Sequence, residues 1–211
     1  MKNVTDRTRN PFGMAPPCAR FVPGYGDANA AFHVIGDHPG VHGGVDSGVP
    51  FTGCESARRL QEALVEAGLL DEPGDEPLVA ETYLSYLHMC VPNPGGTPTT
   101  ADYTDMERFF DAELRAIAAH VLFPVGQRAT RHVLERYTAQ AHKTTVEMDA
   151  LHATEIRGSG FLVMPIADPA DWTDADRQRL VKAIADLRST DFRRESDLGR
   201  FIAGSDPYYV R

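Results

Sequence analysis

The sequence predicts an α/β fold: a three-layer sandwich whose central, mostly parallel sheet has four strands. Three observations carry that expectation. Short apolar runs alternate with amphipathic helical segments along the chain, the pattern of a parallel sheet covered on both faces. The length, 211 residues, suits one domain with a sizeable core. No internal repeat or composition break marks a second domain.

The elements follow in order. Residues 1–29 are rich in Pro, Gly and Asn and read as an irregular arm. The run Ala31-Phe32-His33-Val34-Ile35 is bounded by Gly36 and reads as a buried strand. Residues 36–53 hold six glycines and two prolines and read as a long loop. A helix is predicted over 55–68, with Leu60, Leu64 and Ala67 on one stripe and Gly68 as its stop. The acidic stretch 71–77 is a surface turn, 79–88 a second strand, and 92–98 a further Pro/Gly loop. A helix over 104–119 buries Phe109, Phe110, Leu114 and Ile117. Residues 120–125 form a third strand, and Gly126 opens a helix to about Tyr137. Residues 140–159 read as irregular or β, and 161–166 as a fourth strand. Thr173 is a plausible N-cap for a helix over 173–188, with Asp174 and Asp176 in its first turn. Residues 190–211 read as a loose or docking tail. In such folds ligands sit at the carboxyl ends of the strands, so the loops 36–53, 89–100 and 167–172 are expected to converge at one rim.

Composition narrows the function. The formal net charge is −9, which excludes a generic basic nucleic-acid binder; any phosphate contact must come from a local patch. No apolar run reaches membrane-spanning length, and the polar amino terminus lacks a signal core, so a cytoplasmic protein without membrane contact is expected. Cys18, Cys54 and Cys90 are widely spaced and form no CxxC pair, so three unpaired thiols in a reducing compartment are expected. The eight histidines fall into no zinc-binding spacing, so no metal site is expected.

The most informative stretch runs Val22-Pro-Gly-Tyr-Gly-Asp27, a strand, Gly36-Asp-His-Pro-Gly40, then Gly48-Val-Pro-Phe-Thr-Gly53. Asp37 leaves a buried strand into a glycine-rich loop, where Gly36 and Gly40 permit close backbone approach and Pro39 stiffens the turn. A carboxylate there is suited to orienting water and stabilising a cationic sugar, as in glycoside hydrolysis. Phe51, between Pro50 and Gly53, offers a ring face to a flipped base. Other aromatic and basic candidates have plainer readings. His33 reads as packed inside its strand, His42 as an exposed loop histidine, and His88 as a rim residue. Trp172 reads as core. Arg193 and Arg194 with Arg200 read as a solvated tail, with phosphate contact as the alternative.

These blocks, in this order, resemble family 4 of the uracil-DNA glycosylases. Pro98-Thr-Thr100, Val121-Leu-Phe-Pro-Val-Gly126 and Ile166-Ala-Asp-Pro-Ala170 stand at similar places, and the resemblance covers about residues 20–188. It implies a glycosylase fold and a DNA base-excision activity on a flipped deaminated base, most simply uracil. Asp37 falls where the family positions water, Phe51 where it stacks the base, and the backbone of 36–40, with His38, where it holds the base. Tyr86 stands where the family has a base-reading asparagine, and Asp168 where it has a histidine, so both are carried as candidates: Tyr86 for the base edge, Asp168 for catalysis. The family's four-iron four-sulfur cluster is not expected, because only Cys90 matches a ligand position, Met106 stands at the fourth, and Cys18 is alone. The expected partner is DNA with a damaged base, met by a monomer. Excision of hypoxanthine or a modified pyrimidine, non-catalytic nucleic-acid binding on the same fold, and hydrolysis of free nucleosides are the alternatives.

Overall fold

The computed structural model describes residues 5, 7–93, 95–140, 142–158 and 160–199. Its elements in chain order are β1 (Tyr25–Gly26), β2 (Phe32–Gly36), α1 (Pro39–His42), α2 (Glu55–Glu66), β3 (Leu70–Glu72), β4 (Leu78–Val79), β5 (Thr82–Tyr86), α3 (Thr100–Ile117), β6 (Val121–Pro124), α4 (Gly126–Tyr137), α5 (Met148–Leu151), β7 (Ile156–Arg157), β8 (Leu162–Val163), α6 (Asp174–Arg188) and α7 (Phe192–Gly199). The main sheet has the order β1-β5-β2-β6-β8-β7. Its four inner strands are parallel, with Val34 facing Leu84 on one side and Phe123 on the other. The expected four parallel strands are therefore present. Two short antiparallel strands, β1 and β7, are added at the edges. Among the described residues no helix is long and apolar enough to cross a membrane.

Side-chain alternation along each strand builds the two outer layers. Phe32 and Val34, Leu84 and Tyr86, and Val121 and Phe123 point to one face, where they meet Leu60 and Leu64 of α2 and Leu180 and Ile184 of α6. Ile35, Tyr83 and Leu122 point to the other, against Phe110, Leu114 and Ile117 of α3 and Val133 and Leu134 of α4. All five residues of β2 are buried, as a strand covered on both faces requires.

Several boundaries differ from the sequence expectation for identifiable reasons. The expected strand over 79–88 is divided: Leu78–Val79 leaves to form a hairpin with β3, and only Thr82–Tyr86 joins the main sheet. Helix α3 starts four residues early, because Thr99 and Asp102 form a reciprocal capping box. The same device, Thr173 with Asp176, starts α6 as predicted. Within the loop 36–53, Pro39 opens a single helical turn, α1, capped by His38. Residues 192–199 are helical rather than loose, and Phe192 packs its ring on Phe32 at 5.1 Å. Trp172 is core, as expected, with its indole donating to the Ala167 carbonyl at 3.0 Å. Arg193 pairs with Glu81 at 2.8 Å, and Arg200 lies outside the described residues.

The cysteine expectation is corrected. Cys18 and Cys90 form a disulfide across 72 residues, and only Cys54 is free. Val22 N–H donates to the Met89 carbonyl and Val91 N–H to the Arg20 carbonyl. These bonds lay the amino-terminal arm antiparallel to 89–91 and bring the two Cα atoms to 6.1 Å, within bridging range. A pairing created by an arm folding back over the sheet leaves no mark in local spacing.

Under the arm lies a buried acid. The Tyr83 hydroxyl donates to Glu113 at 3.1 Å, and the second carboxyl oxygen has no partner. Burial pushes the Glu113 carboxyl from an ordinary 4.5 up to about 7. The fold therefore prefers the protonated acid: this group's contribution to stability is complete below the unfolded value and is lost as pH rises toward 7. That window corresponds to a loss on the order of 3 kcal/mol. Buried histidines act in the opposite sense, so the readout is a difference: the melting temperature of Glu113→Gln relative to the wild type should rise between pH 4.5 and 7 in a pH series of thermal melts.

Candidate active site

Strand β2 ends at Gly36, and the chain then delivers Asp37 to the rim. The Gly36 and Asp37 carbonyls accept from Leu87 and His88 N–H at 2.9 and 3.0 Å, which stitches the turn to the end of β5. Gly36 is required sterically: a Cβ there would lie 2.7 Å from the Tyr86 ring and 2.8 Å from Phe51. Gly40 is also confined, 3.0 Å from His38 and 3.1 Å from Pro92 for an added Cβ. The three loops expected at one rim do meet there. Pro92 of the second packs on the first, and Asp168 of the third acts electrostatically on His42.

Asp37 is held at both oxygens. The Tyr103 hydroxyl donates to Oδ1 in a short bond, and Arg128 approaches Oδ2 at 3.5 Å. The Arg128 guanidinium also lies over the Tyr103 ring, 4.5 Å from its centre. The Asp37 side chain is 17% exposed, so it is sheltered but reachable.

Three histidines surround it. His38 caps α1, its Nδ1 accepting from Gly40 N–H at 3.1 Å, so in the neutral ring the proton sits on Nε2. His42 is buried, not exposed as its loop context implied, and its ring lies 5.5 Å from Phe51 and 6.3 Å from Tyr86. Burial lowers the pKa of both, opposed by Asp37 and, for His42, first by Asp168. His88 packs edge-on to Tyr103 at 5.6 Å. Neutral imidazoles beside a carboxylate can donate a hydrogen bond without bringing a fixed positive charge.

Phe51 is strained and anchored. Its φ is +58°, a left-handed conformation that costs an aromatic residue about 1 kcal/mol or more. Its N–H donates to the Tyr86 hydroxyl at 2.7 Å, and its carbonyl accepts from Gln61 at 2.7 Å. Phe51 is 1% exposed, its ring packed against those of His42 and Tyr86. Tyr86 corrects the expectation placed on it. Its hydroxyl accepts from Phe51 N–H and shares its one proton between the His42 and Gly43 carbonyls at 3.1 and 3.0 Å. It is fully buried and has no free group for a base edge; it is a strut beneath the loop. Asp168 uses one oxygen to accept from Ala170 N–H at 2.9 Å, a turn-capping role, while keeping its charge near His42.

Sequence reasoning missed Tyr103 and Arg128. Tyr103 falls in the first turn of α3 only because the Thr99 capping box starts that helix early. Clefts adjoin the site on both sides. One, of about 310 Å³, is lined by Tyr103, Arg128, Arg131, Thr100 and Gln127. The other, of about 380 Å³, is lined by Cys18, Cys90, His88, Pro92, Asp102 and Met106. A larger cavity of about 550 Å³, bounded by Thr52, Cys54, Arg58 and Gln61, contains none of the candidate residues.

The donor set does not fit a four-iron cluster. Such a cluster needs about four thiolates. Here Cys18 and Cys90 are bonded to each other, and the neighbour of Cys90 at 3.8 Å is the Met106 thioether.

Because Tyr86 alone satisfies the Phe51 N–H, Tyr86→Phe should leave a buried donor unpaired and cost about 1–3 kcal/mol. Chemical denaturation of the two proteins measures it, with an unchanged midpoint as the contrary result.

The chain is 36% identical over 127 residues to a type-5 uracil-DNA glycosylase of Thermus thermophilus, covering 58% of each. It is 34% identical over 121 residues to that of Pyrobaculum aerophilum, covering 55% of this chain and 53% of the relative. With that of Mycobacterium tuberculosis it shares 30% over 118 residues, 54% and 44% respectively. The chain thus spans about half the length of these curated relatives, which are named type 5 where the motif order resembles family 4. The model of the uracil DNA glycosylase superfamily matches residues 23–188, all of the main sheet and the rim residues described above, and the chain belongs to that superfamily.

Proposed function

We propose that this protein is a monofunctional DNA glycosylase that hydrolyses the bond between deoxyribose and a flipped deaminated base, with uracil as the first candidate. The observation that carries this reading is Asp37: a carboxylate at the carboxyl end of the central strand, fixed at both oxygens and sheltered from bulk water. Loss of a base leaves positive charge on the sugar, and a fixed carboxylate both stabilises that charge and orients the attacking water. On the base side, His38 and His42 are kept neutral by burial and supply donors as negative charge develops on the leaving base. The type-5 names of the relatives favour that group over family 4 as the chain's place in the superfamily.

A second reading changes the base. The position expected to read the uracil edge is Tyr86, whose hydroxyl is committed to the backbone. Recognition then falls to the 36–40 backbone, the histidines and Asp168, an arrangement that also suits hypoxanthine or a modified pyrimidine.

We further propose that the protein works without an iron–sulfur cluster, supported by the bonded Cys18 and Cys90. Purified protein should lack iron and visible absorbance. Alkylation should find one free thiol before reduction and three after; bound iron would overturn this.

The direct test is base release from oligonucleotides carrying a single uracil, hypoxanthine or normal base, single- and double-stranded. Asp37→Asn should lower release about 10²–10⁴-fold. Release from no substrate would sink the enzymatic reading in favour of a DNA-binding member of the fold. Preference for hypoxanthine would select the second.

A further inference from the structure

Tyr103 and Arg128 reach Asp37 from two different helices. Tyr103 stands in the first turn of α3, on the register set by Thr99. Arg128 stands in the first turn of α4, directly after β6. Each takes one carboxylate oxygen, and each touches the other through the guanidinium–ring contact at 4.5 Å. His88 packs the Tyr103 ring in place at 5.6 Å, with its own Nδ1 within 3.1 Å of the Cys90 carbonyl. The three groups therefore form a closed triangle with one carboxylate geometry.

Stability does not account for such an arrangement. The Arg128 side chain is 52% exposed, and an ion pair so open to water adds little to stability. A carboxylate that must face a sugar carbon, by contrast, gains directly from having its rotation fixed, since a misplacement of about 1 Å can cost 10²-fold in rate.

We propose that Tyr103 and Arg128 are positioning residues that lock the Asp37 carboxylate in its working orientation, so that they act on base release only through Asp37. The proposal rests on the glycosylase reading. Tyr103 accepts no proton and forms no bond in the reaction.

A double-mutant cycle tests this under single-turnover conditions with lesion-containing DNA. Tyr103→Phe should slow base release about 10–100-fold while lesion-DNA affinity stays at the wild-type value. Arg128→Gln should slow it as well, and Arg128→Lys should recover only part, because an ammonium cannot both stack on the ring and pair with the carboxylate. In the Asp37→Asn background neither substitution should have a further effect, the strongly non-additive outcome expected of groups acting as a unit. Independent, multiplying losses in both backgrounds would overturn the proposal, as would a Tyr103→Phe enzyme with the wild-type rate. Should Tyr103→Phe fail to fold, the Arg128 variants decide alone. A wild-type protein that releases no base removes the glycosylase reading and this inference together, whereas an active wild type without coupling removes only the inference.

Discussion

The parallel pairing of β2 on both of its edges is the constraint from which the site is built. With β5 on one side and β6 on the other, and helices against both faces, this strand has no freedom of position. Its carboxyl end is consequently a fixed point, and a residue placed just beyond it inherits that rigidity. Gly36 then lets the rings of Tyr86 and Phe51 close against the backbone. Those rings hold the turn that carries Asp37, His38 and His42. Rigid strand, absent side chain, packed rings and presented carboxylate form one causal sequence, and a substitution anywhere in it acts on the last member.

The electrostatics follow a similar division between whole and part. The chain as a whole is acidic, which disfavours indiscriminate attachment to polyanions. The rim is mixed in sign: Arg128 in the first turn of α4 stands beside Asp37, and the adjoining cleft sets Arg131 and Arg136 among Glu107 and Glu135.

Much of the architecture was legible in the sequence because it is written in local patterns. The four inner strands are apolar runs, α2 ends at a glycine, and α6 begins with a capping box. The Gly/Pro-rich turn around Asp37 announced itself for the same reason. What was hidden depends on residues far apart in the chain. Tyr103 gives no sign of its role until α3 is known to start at Thr100. His42 sits among glycines, a context that reads as exposed, yet Phe51 and Tyr86 bury it. Tyr86 looked available because its strand ends at the rim, whereas its hydroxyl supports a loop more than 30 residues away. The Cys18–Cys90 bond is similarly invisible, since only the arm's return over the sheet brings the sulfurs together.

The two outermost strands carry a consequence for how the molecule behaves in company. Each edge of the six-stranded sheet ends in an antiparallel strand of only two residues. An open parallel edge would present a long row of unsatisfied amides and carbonyls, a template onto which another chain could add. Here the template is too short to recruit a neighbour, and on one side the disulfide-tied arm runs over the adjoining loop as well. The sheet is thereby finished at both ends, and a fold whose slow-forming parallel core is exposed to aggregation while it assembles has little left to aggregate through once it is complete.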